Sequence, residues 1–537
     1  MRKYYYSGGF ANHRGFFPMT TPVAAPKPSP KVDRRSRRQF LRAALMVCGG
    51  ALAVAGGADL GINGLTSNPG ASISSFLSSN TITGSGNAEN FTSDYRDFLE
   101  FLQSVAEQVP AKYVVTSLEA EFAPYALESL DPNFLQYSGI SAEYNPVPYL
   151  IQLEQVQFAV STQSPSYDIF SIDNQNIASF ENGIISPVQL QQQYPQLTYK
   201  NYNVNDFMTT VWNYVAEYPP VISNPTVSGS SSVTESASRT SFTLFPFDAP
   251  LMVFFYRKDI YQKLGLSPPT TWDEYYSQCQ KLPNNGTTYA SANMGLGDVS
   301  VIYEYLNHLA SFGGTMWSVD GNTLTSNLTS SECVEALQDF VRFQPYADPG
   351  SSNYTWTDVF NSLAQGISAT ALLWHDYYDW LNTPARSPVA AGQFLPALNP
   401  AGPSGSFSTY GGAGLGVSAY SKRPEAAYLW IQWATCAGTQ EEMLLGQYHN
   451  FPTRTSVFDA PEVQSELDSS ELPQFNVAKQ AWATGTTALT PFPLWLQVIT
   501  PLANALHNAW IGYWTPQEAL TNAENTIEEN FPALTFA

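Results

Sequence analysis

Apolar positions along the chain follow two periods, and the changes between them mark its elements. Residues 113–118 form a short β-like run, and residues 140–146 read as a second strand. Leu150, Leu153, Val156 and Val160 then recur at helical spacing. Tyr167-Asp168-Ile169-Phe170-Ser171-Ile172 is a compact buried strand that ends at Asp173-Asn174. Strand, helix, strand in this order predicts a βαβ unit, and with it a parallel sheet covered by helices. Ligands of such sheets bind beyond the carboxyl ends of the strands, which makes Asp173 and Asn174 candidates. Further on, Phe245-Pro246-Phe247-Asp248-Ala249-Pro250 leads into an apolar strand at 251–256. A helix follows from Arg257-Lys258-Asp259 to Gly265. The next is expected from the threonines at 270–271, with Asp273 and Glu274 in its first turn. A strand at 369–373 precedes the run Trp374-His375-Asp376-Tyr377-Tyr378-Asp379-Trp380. Pro424 suits a first helical turn, and Ala427, Ile431 and Ala434 share one face of that helix.

The front of the chain has a different pattern. Ser36-Arg37-Arg38-Gln39-Phe40-Leu41-Arg42 precedes an Ala- and Gly-rich apolar run at 43–58. The paired arginine, apolar pair and modest hydrophobic run resemble a twin-arginine export signal. About twenty residues are needed to span a membrane, so this run favours a cleaved signal over a retained anchor. Cys48 sits in a segment loosely similar to a lipobox, with bulky Val47 where a small residue belongs. Residues 1–62 are therefore assigned to a disordered leader and export segment. Residues 63–94, rich in Ser, Gly, Asn and Thr, are assigned to a flexible linker. The Ser- and Gly-rich stretch at 223–240 reads as a surface insertion.

Length and charge narrow the function classes. At 537 residues, two domains are expected. Acidic residues outnumber basic ones by 45 to 24, and a net charge of −21 argues against a nucleic-acid partner. The chain holds 12 Trp, 31 Tyr and 31 Phe, the flat amphipathic rings that stack on sugar faces as well as filling cores. Of four cysteines none forms a CxxC pair, so a zinc or redox motif is unsupported and no metal or cofactor is expected. A bridge between Cys279 and Cys333 is left open, because spacing says nothing about geometry.

Residues 245–282, FPFDAPLMVFFYRKDIYQKLGLSPPTTWDEYYSQCQKL, resemble the central signature of the family 1 extracellular solute-binding proteins, the maltose-binding-protein-like carriers of ABC importers. Gly411-Gly412-Ala413-Gly414-Leu415-Gly416-Val417-Ser418, followed by Ser421-Lys422-Arg423-Pro424-Glu425, is similar to that family's Gly-rich strand and next helix. Pro452-Thr453-Arg454 is a third matching block. Val147-Pro148-Tyr149 with the strand ending at Asp173 is a fourth. The resemblance spans roughly residues 95–530.

The resemblance implies an α/β, two-lobed periplasmic-binding-protein-like fold of type II with three hinge crossings. These are expected near 245–249, 415–418 and 486–491. One lobe would comprise 95–247 plus 418–488, the other 248–417 plus 489–530. It also implies an exported protein, periplasmic or on the outer face of the cytoplasmic membrane. There it would capture a small polar solute, a sugar above all, and hand it to the permease subunits of an ABC transporter. Sugar recognition needs carboxylates and amides to accept hydroxyl protons, and aromatic faces for the C–H surface. The candidates are Asp248 at the first crossing, Trp374 and Tyr377 after the strand at 369–373, and Asp173 with Asn174. To these are added Glu121 beside Glu119, Tyr410, Gly411 and Gly412 before the second crossing, and Trp495.

Two alternatives remain beside this reading. A secreted carbohydrate-active enzyme would need two carboxylates flanking a glycosidic bond, and no pair stands out. A ferric-ion carrier would use Tyr377 and Tyr378 with His375 and Asp376, although adjacent strand residues point to opposite faces.

Overall fold

The alternating run at the start of the first lobe becomes strand β1 (Tyr113–Glu119), whose buried positions Val114, Thr116 and Leu118 lie on one face. The computed structural model describes residues 92–535, apart from 120–121, 145, 219–241, 321–322, 447, 469–471 and 533. The export segment, Cys48, most of the linker and the 223–240 stretch lie outside the described residues.

After β1 and the helix Phe122–Ser138, the expected second strand is split into β2 (Ser141–Glu143) and β3 (Pro146–Val147). The helix Tyr149–Thr162 leads to β4 (Ile169–Asp173), and β5 (Ile184–Ile185) and β6 (Phe245–Pro246) complete this part of the lobe. The second lobe begins with β7 (Met252–Arg257), then β8 (Tyr289–Ser291), β9 (Trp317–Asp320), β10 (Thr323–Ser326), β11 (Ser368–Trp374) and β12 (Phe394–Ala397). Four strands follow: β13 (Ser408–Thr409), β14 (Ala413–Ser418), β15 (Thr486–Thr487) and β16 (Leu534–Thr535).

The first sheet runs β2-β1-β4-β14-β5, with β3 also on β1 and β6 on β14. β1 is parallel to β2, β3 and β4, so helical crossovers are required between them. β14 runs antiparallel to β4, β5 and β6. The second sheet runs β12-β7-β11-β8. β11 is buried along its whole length, as an apolar strand covered on both faces should be. Phe98, Leu118, Ile169, Leu415 and Trp433 share one core, and Phe254, Tyr305, Leu337, Leu373 and Leu506 the other. A third apolar cluster at the junction includes Ile172, Leu251, Tyr410, Phe451 and Phe475.

The helix starts follow the capping signals. Thr271 Oγ1 accepts from Glu274 N at 3.1 Å to open the helix Trp272–Cys279, and Pro424 stands in the first turn of Pro424–Thr435. Cys279, Cys333 and Cys436 are free buried thiols, so the bridge left open by the sequence is not made. Cys333 Sγ instead donates to the Thr315 carbonyl at 3.6 Å.

The chain passes from the first sheet to the second between β6 and β7 and returns between β12 and β14, while β13 and β15 form a separate two-stranded ribbon before the helix Trp495–Trp510. The second crossing lies earlier than 415–418. β14 pairs with β4 from Ala413↔Asp173 to Val417↔Ile169, so the chain has already entered the first sheet by residue 413. The reason is steric. A Cβ at Gly414 would stand 2.6 Å from Leu244 Cβ, and one at Gly416 2.8 Å from Ile184 Cγ2. These glycines let β14 lie against its neighbours inside the sheet; they do not loosen a hinge. β13 and β15 pair in parallel beside the junction, which ties the second and third crossings together.

Candidate functional site

The carboxyl end of β4 delivers Asp173, and a 3-10 turn continues as Asn174–Asn176. All four residues are buried. Gln175 Nε2 lies 3.2 Å from Asp173 Oδ2, 3.0 Å from Tyr149 Oη and 2.8 Å from Tyr303 Oη. Tyr149 opens a first-lobe helix, whereas Tyr303 belongs to the second-lobe helix Val299–Ser311, so this one amide joins the lobes. Asn176 Nδ2 also donates to Tyr149 Oη, at 3.1 Å, and Asn174 Nδ2 donates to the Leu489 carbonyl at the third crossing, at 2.6 Å. The amide oxygens Asn174 Oδ1, Gln175 Oε1 and Asn176 Oδ1 are buried without a partner. Unsatisfied buried acceptors are destabilising by about 1–3 kcal/mol each, so three in succession mark this turn as short of donors.

Aromatic rings wall the same place. The Tyr303 ring stands edge-on to Trp374 at 5.3 Å and to Trp356 at 6.3 Å, and Tyr149 meets Trp356 edge-on at 5.7 Å. Trp374 ends β11. Its ring occupies the space that a Cβ on Gly411 would need, 2.4 Å from its Cη2. Gly411 therefore serves the close approach of this indole to the backbone.

Asp248 reaches the site through the hinge. The amides of Phe247 and Asp248 both donate to the Ala413 carbonyl, at 3.1 and 3.2 Å, and Ala413 is the register partner of Asp173. Asp173 and Asp248 thus flank one residue of β14. Burial raises both carboxyls above the usual carboxylate range, and the charge of Asp248 raises Asp173 further. Tyr410 Oη donates to the Asp248 carbonyl at 3.0 Å, and a Cβ on Gly412 would stand 2.2 Å from that same oxygen. Tyr410 and Gly412 therefore pack directly on the Asp248 backbone. Glu119, at the end of β1, acts through its charge on both Tyr149 and Tyr303.

Of the sequence candidates, the structure brings together Asp173, Asn174, Asp248, Trp374, Tyr410, Gly411 and Gly412. Trp495 is buried in the second core, edge-on to Phe492 at 5.6 Å. Tyr377 packs against Phe360 and Trp380 at 5.3 and 5.5 Å. Glu121 lies outside the described residues. His375 Nδ1 accepts from Leu251 N at 3.1 Å, and burial pushes its pKa down to about 3, so the ring serves the hinge as a neutral acceptor. Among the described residues no group of three His, Cys, Asp or Glu could hold a metal ion. Sequence reasoning missed Gln175, Asn176, Tyr149, Tyr303 and Trp356. The first two directly follow Asp173-Asn174, and Tyr149 closes a quoted motif. Tyr303 and Trp356 stand in helices whose pattern reads as core.

The ends of β4 and β11 thus meet where the two sheets adjoin, an arrangement of two α/β lobes. Residues 116–441 match the family model of the bacterial extracellular solute-binding proteins, and the chain belongs to that family. A probable amino-acid ABC transporter periplasmic-binding protein of Sinorhizobium fredii is 23% identical over 375 residues, covering 68% of this chain and 78% of the relative. The erythritol/L-threitol-binding protein of Mycolicibacterium smegmatis is 26% identical over 217 residues, covering 38% of this chain and 44% of that protein. Among solved structures, an ABC transporter solute-binding protein from Agrobacterium radiobacter K84 in complex with ribitol aligns with a TM-score of 0.65. It is 20% identical, over 78% of this chain and 98% of that one. Maltose-bound MalE3 of T. maritima aligns with a TM-score of 0.65 at 19% identity, over 78% and 100% of the two chains. These likenesses show the two-lobed type II fold.

Proposed function

We propose that this protein is the exported substrate-binding component of an ABC importer, and that it captures a small polyhydroxylated solute, a sugar or polyol, between its lobes. The observation that carries this reading is the bridge at Gln175. One buried amide meets a tyrosine from each lobe, while its own oxygen and those of Asn174 and Asn176 await donors. Hydroxyl groups are such donors, and Trp374, Trp356 and Tyr303 offer rings for the C–H faces of the same molecule. A guest touching both lobes stabilises the shut form by its differential affinity for it, and permease subunits can then distinguish shut from open. The solved structures bound to ribitol and maltose, and the relative named an erythritol/L-threitol-binding protein, support the chemical class.

An enzyme is the weaker reading. Glycoside hydrolysis needs two carboxyls held in contrasting environments, one protonated and one ionised. Asp173 and Asp248 are instead raised together, by the same burial.

The test is a thermal-shift screen against sugars and polyols, followed by calorimetry on Trp374→Ala. A ligand at a hundred times its Kd adds about 2.7 kcal/mol of stability. At least one such solute is expected to raise the Tm, with no turnover. Losing the indole is expected to weaken capture by about tenfold or more, the 1–3 kcal/mol range of a stacked ring. A panel without any hit, or an unchanged Kd in the folded variant, removes the assignment.

A further inference from the structure

The charges around the cleft are one-sided. Asp173 and Asp248 stand on either side of Ala413 at the hinge, and the Glu119 charge acts on the tyrosines beside Asp173. Uncharged groups surround the pair: Gln175 Nε2 joins Asp173 to Tyr149 and Tyr303, and Ala249 N donates to Asp248 Oδ1 at 2.9 Å. The arginines are engaged elsewhere: Arg257 with Asp259, Arg342 with Asp339, Arg423 with Asp168 and Arg454 with Asp206. Arg386 lies over the Trp380 ring at 4.2 Å.

Acidic residues alone would not make a site, but two further features point to a guest. Gln175 is fully buried and Asn176 nearly so. Both have an unpartnered amide oxygen on the same amide whose nitrogen contacts Tyr149. The aromatic rings of Tyr149, Tyr303, Trp356 and Trp374 meet edge to face around this point, and ring faces attract cations. Hydroxyls alone would satisfy the acceptors, whereas an ammonium group would also let the two buried carboxyls ionise. A single positive charge between Asp173 and Asp248 offsets their repulsion and their loss of hydration together.

We infer that the solute is an amine-bearing hydroxylated molecule, an amino sugar or amino polyol without a carboxylate, whose ammonium group sits between Asp173 and Asp248. This rests on the reading of the cleft as the solute site. It also separates this site from capture of a free α-amino acid, whose carboxylate would meet only acceptors here.

Calorimetry at pH 7 with matched pairs tests it: glucosamine against glucose, galactosamine against galactose, and 1-amino-1-deoxyglucitol against glucitol. N-acetylglucosamine serves as an uncharged control, and serine as a zwitterion. The amine of at least one pair is expected to bind tenfold or more tightly than its neutral twin. Acetylation should abolish the gain, and Asp173→Asn or Asp248→Asn should cut it at least tenfold. Neutral members binding as tightly as their amines overturn the inference and leave sugar capture standing. So does an amine preference that survives both substitutions, or tight binding of serine. If no member of any pair binds, and none of the wider sugar and polyol panel does, solute capture itself falls and takes this inference with it.

Discussion

Burial of Asp173 and Asp248 at one hinge is unfavourable unless something compensates them, and the titration of the unliganded protein should show it. A carboxyl whose folded pKa is raised holds its proton longer folded than unfolded. Its stabilising contribution is complete below the unfolded value, near 4, and is lost as pH rises through the folded value. Asp173, Asp248 and Glu304 all act this way, Glu304 being pushed up to about 7 by burial. His375 works in the opposite sense, because its lowered pKa contributes stability that fades as pH falls below about 6.5. The carboxyls outnumber it, so the Tm of the unliganded protein is expected to fall between pH 5.5 and 8. Scanning calorimetry across that range checks this, and a flat or rising Tm contradicts it. The groups facing the pair are Glu119, Tyr149, Tyr303 and Tyr410, and the charge of Asp248 raises Asp173.

At the scale of elements, β14 determines how the cleft is floored. It carries Ala413 between the two aspartates and has glycine wherever a neighbouring strand or loop comes close. Gly412→Ala would place a methyl carbon against the backbone oxygen of Asp248, which cannot swing aside as a side chain can. The expected outcome is a folded but less stable protein, lower by about 1–3 kcal/mol in denaturant unfolding, with solute affinity reduced as well. Wild-type stability in that variant would show that the hinge yields easily. The same strand shows how much of the molecule was legible in the sequence. Period and capping located β1, β4, β7, β11 and the helices around them, because each buries an apolar face of regular spacing. The Gly-rich block was recognised as a strand, with Gly411 and Gly412 taken as candidates beside a solute, since a glycine that admits an indole or a neighbouring strand looks the same in sequence as one that admits a ligand. Tyr303 and Trp356 could not be read as site residues, because their helical pattern is that of a buried face. Only the meeting of two lobes brings those rings beside Tyr149 and Trp374.

For the whole molecule, opening must break the bonds that cross from one lobe to the other. Besides the Gln175 bridge, His449 Nδ1 lies 2.9 Å from Asp379 Oδ2, with both side chains about three-quarters buried. His449 follows the first-lobe helix Ala437–Leu445 with a left-handed backbone, φ 43°, and Asp379 belongs to the second-lobe helix Tyr377–Asn382. A partly exposed contact of this kind contributes about 0.2–1 kcal/mol. Asp379→Asn is therefore expected to raise the solute Kd by up to about fivefold, mainly through faster release. Stopped-flow dissociation measures this directly, and an unchanged release rate would mean that the pair does not help hold the lobes together.

The short ribbon of β13 and β15 has a mechanical consequence. Two of the three strands of chain between the lobes are hydrogen-bonded side by side, at Ser408↔Thr486 and Thr409↔Thr487, and so cannot twist independently. Movement is then confined to swinging about one axis, as with a door on paired pins. Probes placed anywhere on the two halves should report a single shared trajectory, without a scatter of unrelated wobbles.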